Sequence, residues 1–406
     1  MWRTFRLFAP GPGEDSGSLP RRARAGARQA SGARSSARYR PEVDGLRAIA
    51  VLAVMYFHGG FPLSDGGYAG VDVFFVISGY LISTVIMEDL EAGRFSLATF
   101  YTRRVRRIIP ALALVVLLCV PLAWAMMTAD QLREFSSALF GVATFSSNVV
   151  FWLGNGAVPP KLHLDPLIHT WSLAVEEQFY LLFPLLMLAL WKLKGRWIAA
   201  TFLSLALASA VAAEAVARIS ADAAFYLTPF RGWELLAGAW AARIHLRSPD
   251  RDWNNDLLAM LGLALVLASF GLLRAHSLVP GIVAIPIVAG TALLLLFGRE
   301  GTWVGKRLAT PALVQTGLIS YSLYLWHLPL LAFAWLAKGE PLSVIERVAV
   351  LSATFPIAYG SWALVETPFR DRRRVSTRLA WLGAAIFTIA ATAVGLAGYL
   401  RPDGWL

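Results

Sequence analysis

The sequence predicts an all-α fold, a polytopic bundle of about 10–11 transmembrane helices with the N-terminus inside and the C-terminus outside. Of its 406 residues, 57% are hydrophobic and only 16% are charged, whereas an average soluble domain has about 25% charged residues. Lys and Arg number 37 against 26 Asp and Glu, which gives a net charge of +11. This composition excludes a soluble globular enzyme and a disordered chain. The single cysteine, Cys119, excludes a disulfide-stapled secreted domain.

The first forty residues differ in composition from the rest of the chain. The stretch from Gly11 to Arg40 is rich in Gly, Ser, Ala and Arg, and such a segment buries too little apolar surface to fold. We therefore expect residues 1–40 to form a disordered basic tail near an anionic membrane surface. We expect a membrane domain over 41–375, and a final transmembrane helix with a short outer C-terminus over 376–406.

Apolar stretches of about the 17–25 residues needed to cross a bilayer follow this tail. Eleven spans are predicted, at 45–61, 69–87, 108–127, 169–191, 197–215, 227–243, 256–273, 280–298, 312–336, 344–366 and 379–399. One further stretch, 135–153, is amphipathic and contains Asn148. We predict that it forms a re-entrant or surface helix rather than a span.

The basic residues indicate how these helices are oriented. With a cytoplasmic N-terminus, 29 of the 37 Lys and Arg lie in inside segments, and eight, including Arg231 and Arg347, are assigned to the outside. Cytoplasmic segments are enriched in Lys and Arg. The N-terminus is therefore predicted to be inside, and the odd number of spans places the C-terminus outside.

The first span carries two ionisable residues, Arg47 and His58. An ionisable group at the bilayer centre costs at least about 2.5–3.5 kcal/mol, so each needs a partner or a function. The two residues are three helical turns apart on one face, about 16 Å along the axis. Arg47 would lie near the cytoplasmic end and His58 near the outer end. Alternatively, Arg47 extends to the cytoplasmic surface and His58 only caps the helix.

Asp72 begins the second span at the level predicted for His58. A carboxylate there would orient His58 and raise its basicity, although a first-turn acid favoured by the helix dipole is the simpler alternative. Four arginines within 103–107 follow this span. They fit the positive-inside rule, and Arg104 and Arg107, which share a helix face, would also bind phosphate in bidentate fashion.

The fourth span holds the polar residues that packing explains least. His169, Glu176 and Tyr180 fall on one stripe of the helix, whereas Glu177 is rotated from it by about 100°. Adjacent carboxylates inside an apolar helix are costly. We therefore interpret this segment as part of a functional site.

The ninth span places Ser320, Tyr324 and His327 on one face, and Pro329 is predicted to kink the helix. A histidine beside aromatic residues is also compatible with a simple interhelical hydrogen bond. Glu366 is expected at the inner interface, in a salt bridge to the basic loop that follows it.

Six segments occur in order over roughly residues 39–375: "RPEVDGLRAIAVLAVMYFH", "GGYAGVDVFFVISGYLI", "FYTRRVRRIIPA", "HTWSLAVEEQFYLLFP", "SYSLYLWHLPL" and "VETPFR". Together they resemble the acyltransferase-3 family of integral membrane acyltransferases. The resemblance implies transfer of an acyl group, usually acetyl from acetyl-CoA, to a hydroxyl of an extracytoplasmic carbohydrate or glycolipid at the bacterial inner membrane. Surface polysaccharide, lipopolysaccharide and peptidoglycan are typical acceptors. The resemblance implies neither a metal nor a nucleic-acid partner.

The resemblance also assigns roles to individual residues. Arg47 and His58 match the family's functional pair, Arg104 and Arg107 its Arg-x-x-Arg pair, and Asp72, Glu176, Glu177 and His327 its recurrent polar positions. We therefore expect catalytic roles for His58, Asp72, Glu176 and Glu177 and acyl-CoA binding by Arg47, Arg104 and Arg107. We also expect acceptor binding by Tyr180, Tyr324 and His327. His58 would act as a general base or would carry the acyl group transiently, oriented by Asp72 or Glu176. Larger members continue beyond the eleventh span, so direct transfer or a separate periplasmic partner is expected here.

The alternative function is a transporter or flippase for a sugar, lipid or ion, because buried carboxylates and histidines also form proton relays. The arginine pair favours the enzyme, since a proton-coupled carrier needs no phosphate site at its inner mouth. A glycosyltransferase that uses a lipid phosphate would need an acidic metal-binding pair in a loop, and the sequence offers no such pair.

Overall fold

The computed structural model describes residues 39–154, 165–193, 195–248, 251–274 and 277–401. Every regular element in these ranges is helical, which confirms the all-α class. Apart from residues 39 and 40, the predicted tail lies outside the described residues. The helices are α1 (Pro41–His58), α2 (Gly70–Glu91), α3 (Leu97–Met126), α4 (Ala129–Ala143), α5 (Ser147–Leu153), α6 (Thr170–Trp191), α7 (Gly195–Ala217), α8 (Ala221–Tyr226), α9 (Thr228–Arg247), α10 (Asp256–Leu272), α11 (Ile285–Phe297), α12 (Trp303–Leu308), α13 (Pro311–Leu318), α14 (Ser320–Lys338), α15 (Val344–Ser361), α16 (Thr367–Arg370) and α17 (Thr377–Leu400). Short 3-10 segments precede α2 at Asp65–Ala69 and α11 at Ile282–Ala284, and a π-helical turn at Trp362–Glu366 joins α15 to α16.

Each of the eleven predicted apolar segments is helical in the structure. Six helical stretches among the described residues are long and apolar enough to cross a membrane: Asp65–Glu91, Leu97–Met126, Thr170–Trp191, Gly195–Ala217, Val344–Arg370 and Thr377–Leu400. Counting α13 and α14 as one bent span makes seven, and two further apolar helices are shorter. The chain is thus a polytopic membrane protein, while a count of 10–11 and the orientation of the termini stay predictions.

The amphipathic stretch 135–153 forms two helices, α4 and α5, rather than one. Its polar residue Asn148 is buried, and the Asn148 amide donates to the carbonyl of Tyr226 at 3.1 Å. The Gln178 amide donates to the side-chain oxygen of Asn148 at 2.9 Å. The hydrogen-bonding groups of Asn148 are therefore satisfied inside the bundle, by Gln178 of α6 and by Tyr226, which precedes α9.

Two glycines allow α2 and α9 to pack closely. A Cβ atom added to Gly79 of α2 would lie 1.9 Å from the Leu235 carbonyl oxygen, and one added to Gly238 of α9 would lie 2.0 Å from the Val76 carbonyl oxygen. Real Cβ atoms do not approach so closely, so only glycine permits this crossing. At this crossing, buried charged side chains of α2 and α9 come into contact.

The sharp bend in the ninth predicted span lies elsewhere than expected. Helix α14 continues through Pro329, whereas α13 and α14 meet at an angle of 68° around Ile319. This bend lies ten residues before Pro329, so the predicted kink at Pro329 is not the feature that redirects this span.

Candidate active site

Three buried histidines meet where α1, the start of α6 and α14 converge. The Nδ1 atom of His58 lies 3.0 Å from the Nε2 atom of His327. The His169 ring is 5.5 Å from the His327 ring, centroid to centroid, and approaches it edge-on. All three side chains are at most 5% exposed. The structure thus unites residues that the sequence placed on three separate helices.

The hydrogen bonds of His327 determine which ring nitrogens carry protons. Its Nδ1 atom lies 2.7 Å from the carbonyl oxygen of Tyr324, and a carbonyl only accepts, so Nδ1 carries the hydrogen. In a neutral ring, Nε2 of His327 then accepts a hydrogen bond from Nδ1–H of His58. A neutral His58 consequently keeps its lone pair on Nε2, which is the arrangement that a general base needs.

No group of three or more His, Cys, Asp or Glu side chains in the described part of the chain is arranged to hold a metal ion. The histidine cluster itself is held by hydrogen bonds. The Tyr324 hydroxyl donates to the His169 carbonyl at 2.6 Å and accepts from the Ser172 hydroxyl at 2.6 Å. This bridge pins α14 to α6, so the hydroxyl for which acceptor binding was predicted is already engaged within the protein.

Two turns further along α6, Glu176 forms a second polar site. Its Oε1 atom accepts from the Ser78 hydroxyl of α2 at 2.9 Å, and its Oε2 atom accepts from the Tyr180 hydroxyl at 3.1 Å. The predicted stripe of His169, Glu176 and Tyr180 is therefore present. The expectation that Glu176 orients His58 is wrong, because its two oxygens bond to Ser78 and Tyr180.

Arg104 and Glu177 line a cavity of about 300 Å³ between α3, α6 and α17, together with apolar side chains such as Trp381. The Arg104 guanidinium lies 5.5 Å from the centre of the Tyr180 ring. The Nε atom of Arg104 and the Oε1 atom of Glu177 are both buried without a hydrogen-bond partner among the described residues. A mostly apolar cavity bordered by one cationic and one acidic side chain is suited to an amphipathic ligand.

Positive charge accumulates at the Arg47 end of α1. Arg107 lies close enough to Arg47, Arg104 and Arg370 for their charges to repel one another. Arg47 forms an ion pair with Asp44 at 3.2 Å. For Arg107, no hydrogen-bond acceptor is found among the residues that the structure describes. We call Arg47, Arg104, Arg107 and Arg370 the arginine cluster.

Glu366 forms the ion pair that was expected of it. Its Oε1 atom lies 3.2 Å from Arg370, and its Oε2 atom accepts from the Ser322 hydroxyl of α14 at 3.2 Å. This carboxylate therefore connects the arginine cluster to the helix that carries His327.

The other two arginines of the run 103–107 face away from the cluster. Arg106 is buried and donates to the carbonyls of Phe369 and Val375 at 2.9 and 2.7 Å, which ties α3 to the segment before α17. Arg103 is exposed and lies 3.5 Å from Asp89. The spacing Arg-x-x-Arg thus places Arg104 and Arg107 on the inward face of α3. Arg106 is left to a structural contact and Arg103 to the surface.

Asp72 does not orient His58. Its carboxylate lies 3.1 Å from the guanidinium of Arg231, which also contacts Glu234 at 3.1 Å. The Arg231 side chain is 1% exposed and lies over the rings of Trp171 and Phe225. The sequence assigned Arg231 to the outer side of the membrane, which stays a prediction; the structure adds that the close crossing of α2 and α9 buries its side chain.

Arg231 and Glu234 are the polar residues that the sequence reasoning missed. They are three residues apart on an apolar helix, a spacing at which opposite charges pair. Ionisable side chains inside a predicted span are costly, and this is the criterion by which Glu176 and Glu177 of α6 were recognised. The same criterion applied to Arg231 and Glu234 would have identified them.

Asp165 precedes α6 and lies outside the membrane-spanning stretches. Burial raises the pKa of its carboxyl group to about 7, although the Leu167 backbone N–H donates to it at 2.8 Å and opposes this shift. Asp165 therefore titrates near neutral pH, four residues before His169.

Arg347 of α15 holds the end of α1. Its guanidinium donates to the carbonyls of Gly59 and Gly60 at 2.7 and 2.9 Å. These carbonyls directly follow His58, at the end of a helix where backbone acceptors lack intrahelical partners and a cation is favourable. The position of His58 therefore depends on α15.

A family model described as an acyltransferase domain matches residues 40–397. The chain belongs to the acyltransferase-3 family. This match agrees with the six ordered segments and extends through most of α17.

Relatives of this acyltransferase-3 chain occur in Staphylococcus aureus. The O-acetyltransferase OatA of strain NCTC 8325 / PS 47 is 31% identical over 360 residues, which cover 83% of this chain and 58% of OatA. A protein of strain MSSA476 with the provisional name O-acetyltransferase SAS0844 is 30% identical over 351 residues, 82% of this chain and 58% of its own. The chain thus spans 58% of the length of these curated relatives. No solved structure matches it.

Proposed function

We propose that this chain is a membrane O-acyltransferase that moves an acetyl group from acetyl-CoA to a hydroxyl of a carbohydrate or glycoconjugate. The observation that carries the proposal is the 3.0 Å contact between His58 and His327, because it leaves a neutral His58 with its lone pair on Nε2. The relatives named O-acetyltransferase support the same chemistry. Family membership favours it over a transporter or flippase.

The arginine cluster would bind the donor. Its guanidinium groups repel one another, and the phosphates of CoA would supply anionic oxygens to Arg104 and Arg107 in bidentate geometry. Acetyl-CoA would enter from the cytoplasm at Arg104 and Arg107. The pantetheine arm would run beside α1, since Arg47 and His58 are separated by about 16 Å along one helix.

In the transfer step, His58 Nε2 takes the proton of the acceptor hydroxyl as its oxygen attacks the thioester carbonyl. The new C–O bond forms a tetrahedral intermediate, which collapses with cleavage of the C–S bond. The CoA thiolate leaves and takes up the proton from His58, so the products are the acetyl ester and CoA thiol. His327 holds the ring of His58 in the required tautomer throughout.

The two glutamates lie between the donor and acceptor ends of the site. Glu176, fixed by Ser78 and Tyr180, and Glu177, with its free oxygen in the cavity, would place the substrates rather than act on His58. The acceptor would approach the histidine cluster from the extracytoplasmic side of a bacterial inner membrane. The acetyl group would pass to this acceptor directly or by way of a separate periplasmic partner.

The decisive experiment compares His58→Ala with the wild-type chain in membrane vesicles supplied with radiolabelled acetyl-CoA. We expect the variant to lose incorporation of label into the carbohydrate fraction by about 100-fold or more, because general-base catalysis contributes about 10²–10⁴ in rate. Binding of acetyl-CoA to the purified variant should be unchanged, since the arginine cluster is intact.

His245→Ala is the matched control, because His245 also bonds to a neighbouring helix, through the Tyr80 hydroxyl at 2.7 Å, but is not part of the histidine cluster. It should keep the wild-type rate of transfer. Wild-type incorporation by a correctly inserted His58→Ala protein would refute the assignment.

A further inference from the structure

Glu366 is a buried carboxylate that contacts both the arginine cluster and α14. Its side chain is 2% exposed, and its Oε1 atom lies 3.2 Å from the guanidinium of Arg370. Its Oε2 atom accepts at 3.2 Å from the hydroxyl of Ser322, which is fully buried on α14. Arg47 is close enough to be attracted by the same carboxylate. The transfer step does not use Glu366, so the cost of burying its charge indicates another role.

A π-helical turn precedes the contacts of Glu366. Over Trp362–Glu366 the helix widens, and the backbone N–H of Thr367 donates to the carbonyl of Trp362, five residues back. Pro368 follows, and its ring removes the N–H that would continue the α-helical pattern. Within this turn Leu364 is 78% exposed, whereas Glu366 is buried. Such turns are frequent at functional sites, and here the turn accompanies a carboxylate that faces into the bundle.

The short helix α16, which carries Arg370, is also fixed by Arg106. The Arg106 guanidinium donates to the carbonyls of Phe369 and Val375 at 2.9 and 2.7 Å. Arg370 itself is repelled by the other three arginines of the cluster and attracted by Glu366. An anion bound at the cluster would oppose this repulsion, so that the anion and Glu366 would hold Arg370 together.

On α14, Ser322 lies in the turn that fixes the start of the helix. The hydroxyl of its neighbour Tyr321 donates to the carbonyl of Ile108 on α3 at 2.9 Å. His327 follows Ser322 by five residues, about 7.5 Å along one continuous helix. Over so short a distance a helix moves as one body. The hydrogen bond from Ser322 to Glu366 therefore contributes to the position of the His327 ring.

We propose that Glu366 is a positioning residue that holds α14, and with it His327, in place relative to the arginine cluster. When the phosphates of the donor bind the cluster, Arg370 and Glu366 become fixed together, and Ser322 transmits this to α14. The contact of His327 with His58 is thereby more rigid in the donor-bound protein. This inference rests on the proposed function, and it adds a coupling between the two ends of the site.

Hydrogen exchange of the full chain in lipid nanodiscs tests this coupling without acetyl transfer. The probe is CoA, which carries the phosphates but no acetyl group. In the wild-type protein, CoA should slow amide exchange both at the arginine cluster and in the first turns of α14, there by about threefold or more. In Ser322→Ala, CoA should still slow exchange at the cluster, whereas exchange in α14 should not respond.

The kinetics of acetyl transfer give a second measurement. Ser322→Ala should lower kcat about tenfold through misalignment of His327, while KM for acetyl-CoA should stay within about twofold because the arginine cluster is intact. Ser322→Thr, which keeps the hydroxyl, should restore most of kcat. Glu366→Ala breaks the same link, so Glu366→Ala/Ser322→Ala should have no lower kcat than Glu366→Ala alone.

Ser361→Ala is the matched control. Ser361 is also a buried serine, 5% exposed, and it directly precedes the π-helical turn. Its hydroxyl has no hydrogen-bond partner in the described part of the chain. This variant should keep the wild-type kcat and the response of α14 to CoA.

Two results would overturn the coupling while leaving the donor site in place. One is CoA binding that changes exchange in α14 equally, or not at all, in the wild type and Ser322→Ala. The other is an additive loss of kcat in Glu366→Ala/Ser322→Ala, which would show that the two residues act independently. A wild-type protein that does not bind CoA would instead refute the proposed function, and the coupling with it.

Discussion

Buried arginines occur in two regions of this bundle, and their surroundings are opposite. Arg231, between α2 and α9, has two carboxylates, the Phe225 carbonyl and two aromatic rings as partners. Arg104 lies near Arg107 and is attracted by Glu176 and Glu177, but its buried Nε atom has no acceptor among the residues that the structure describes. The same residue type is thus fully partnered in one region and under-partnered in the other.

This difference in partners indicates that Arg231 stabilises the fold, whereas Arg104 is a candidate for ligand binding. A buried guanidinium must have its charge and its donors satisfied. Arg231 obtains this from the chain itself, so it contributes to the packing of α2 against α9. Arg104 and Arg107 are attracted by Glu176 and Glu177 but repel each other, and we expect them to bind the phosphates of a donor.

The largest effect is expected at the fully partnered site. Arg231→Met should lower the free energy of unfolding by about 3–5 kcal/mol, because it leaves the carboxylates of Asp72 and Glu234 buried without a cation. Thermal unfolding of the detergent-solubilised protein measures this loss. Arg231→Lys, which keeps the charge, should recover part of the stability. A melting temperature for Arg231→Met equal to that of the wild type would contradict the structural role.

The next largest effect is expected at the under-partnered pair. Arg104→Ala/Arg107→Ala should lower the affinity for acetyl-CoA by about 100-fold, because each hydrogen bond to a charged group contributes about 1.5–3 kcal/mol. Its stability should equal or exceed that of the wild type, since mutual repulsion is removed. Calorimetric titration with acetyl-CoA measures the affinity.

Arg103→Ala is the control for this pair. Arg103 belongs to the same run but pairs with Asp89 on the surface, and such pairs contribute about 0–1 kcal/mol. It should leave both affinity and stability nearly unchanged. If Arg103→Ala weakened acetyl-CoA binding as much as the double variant does, the binding would reflect the net charge of the loop and not the inward pair.

The smallest effect is expected at the carboxyl group of Asp165, just before α6. Since the pKa of Asp165 is raised to about 7 in the folded protein, the folded state binds a proton that the unfolded state releases at about pH 4. The free energy of unfolding should therefore decrease by about 1 kcal/mol between pH 6 and pH 8. Asp165→Asn should remove this decrease. An unchanged pH dependence in that variant would assign the titration to another group.

Much of the fold and the polar stripes could be predicted because they depend on local periodicity. The apolar segments are helices, Arg47 and His58 lie on one continuous helix, and Glu176 bonds to Tyr180 one turn away. Such relations follow from 3.6 residues per turn and need no knowledge of the neighbouring helices.

The errors concern contacts between helices. The partner of Asp72 is Arg231 because two glycines bring α2 and α9 together, and no periodicity within α2 reveals which helix it meets. The contact between His58 and His327 spans 269 residues of sequence. The sequence identified both histidines, but only the tertiary arrangement shows that one holds the other.

The hydrogen bonds from Arg347 to the turn after His58 connect α15 to the end of α1. This helix holds Gly59 and Gly60 through Arg347 and, three and six residues later, lines an apolar cavity of about 310 Å³ between α3, α14 and α15 with Val350 and Ala353. The two contacts are less than two helical turns apart. We therefore expect any change that shifts α15 at this cavity to shift the turn that follows His58.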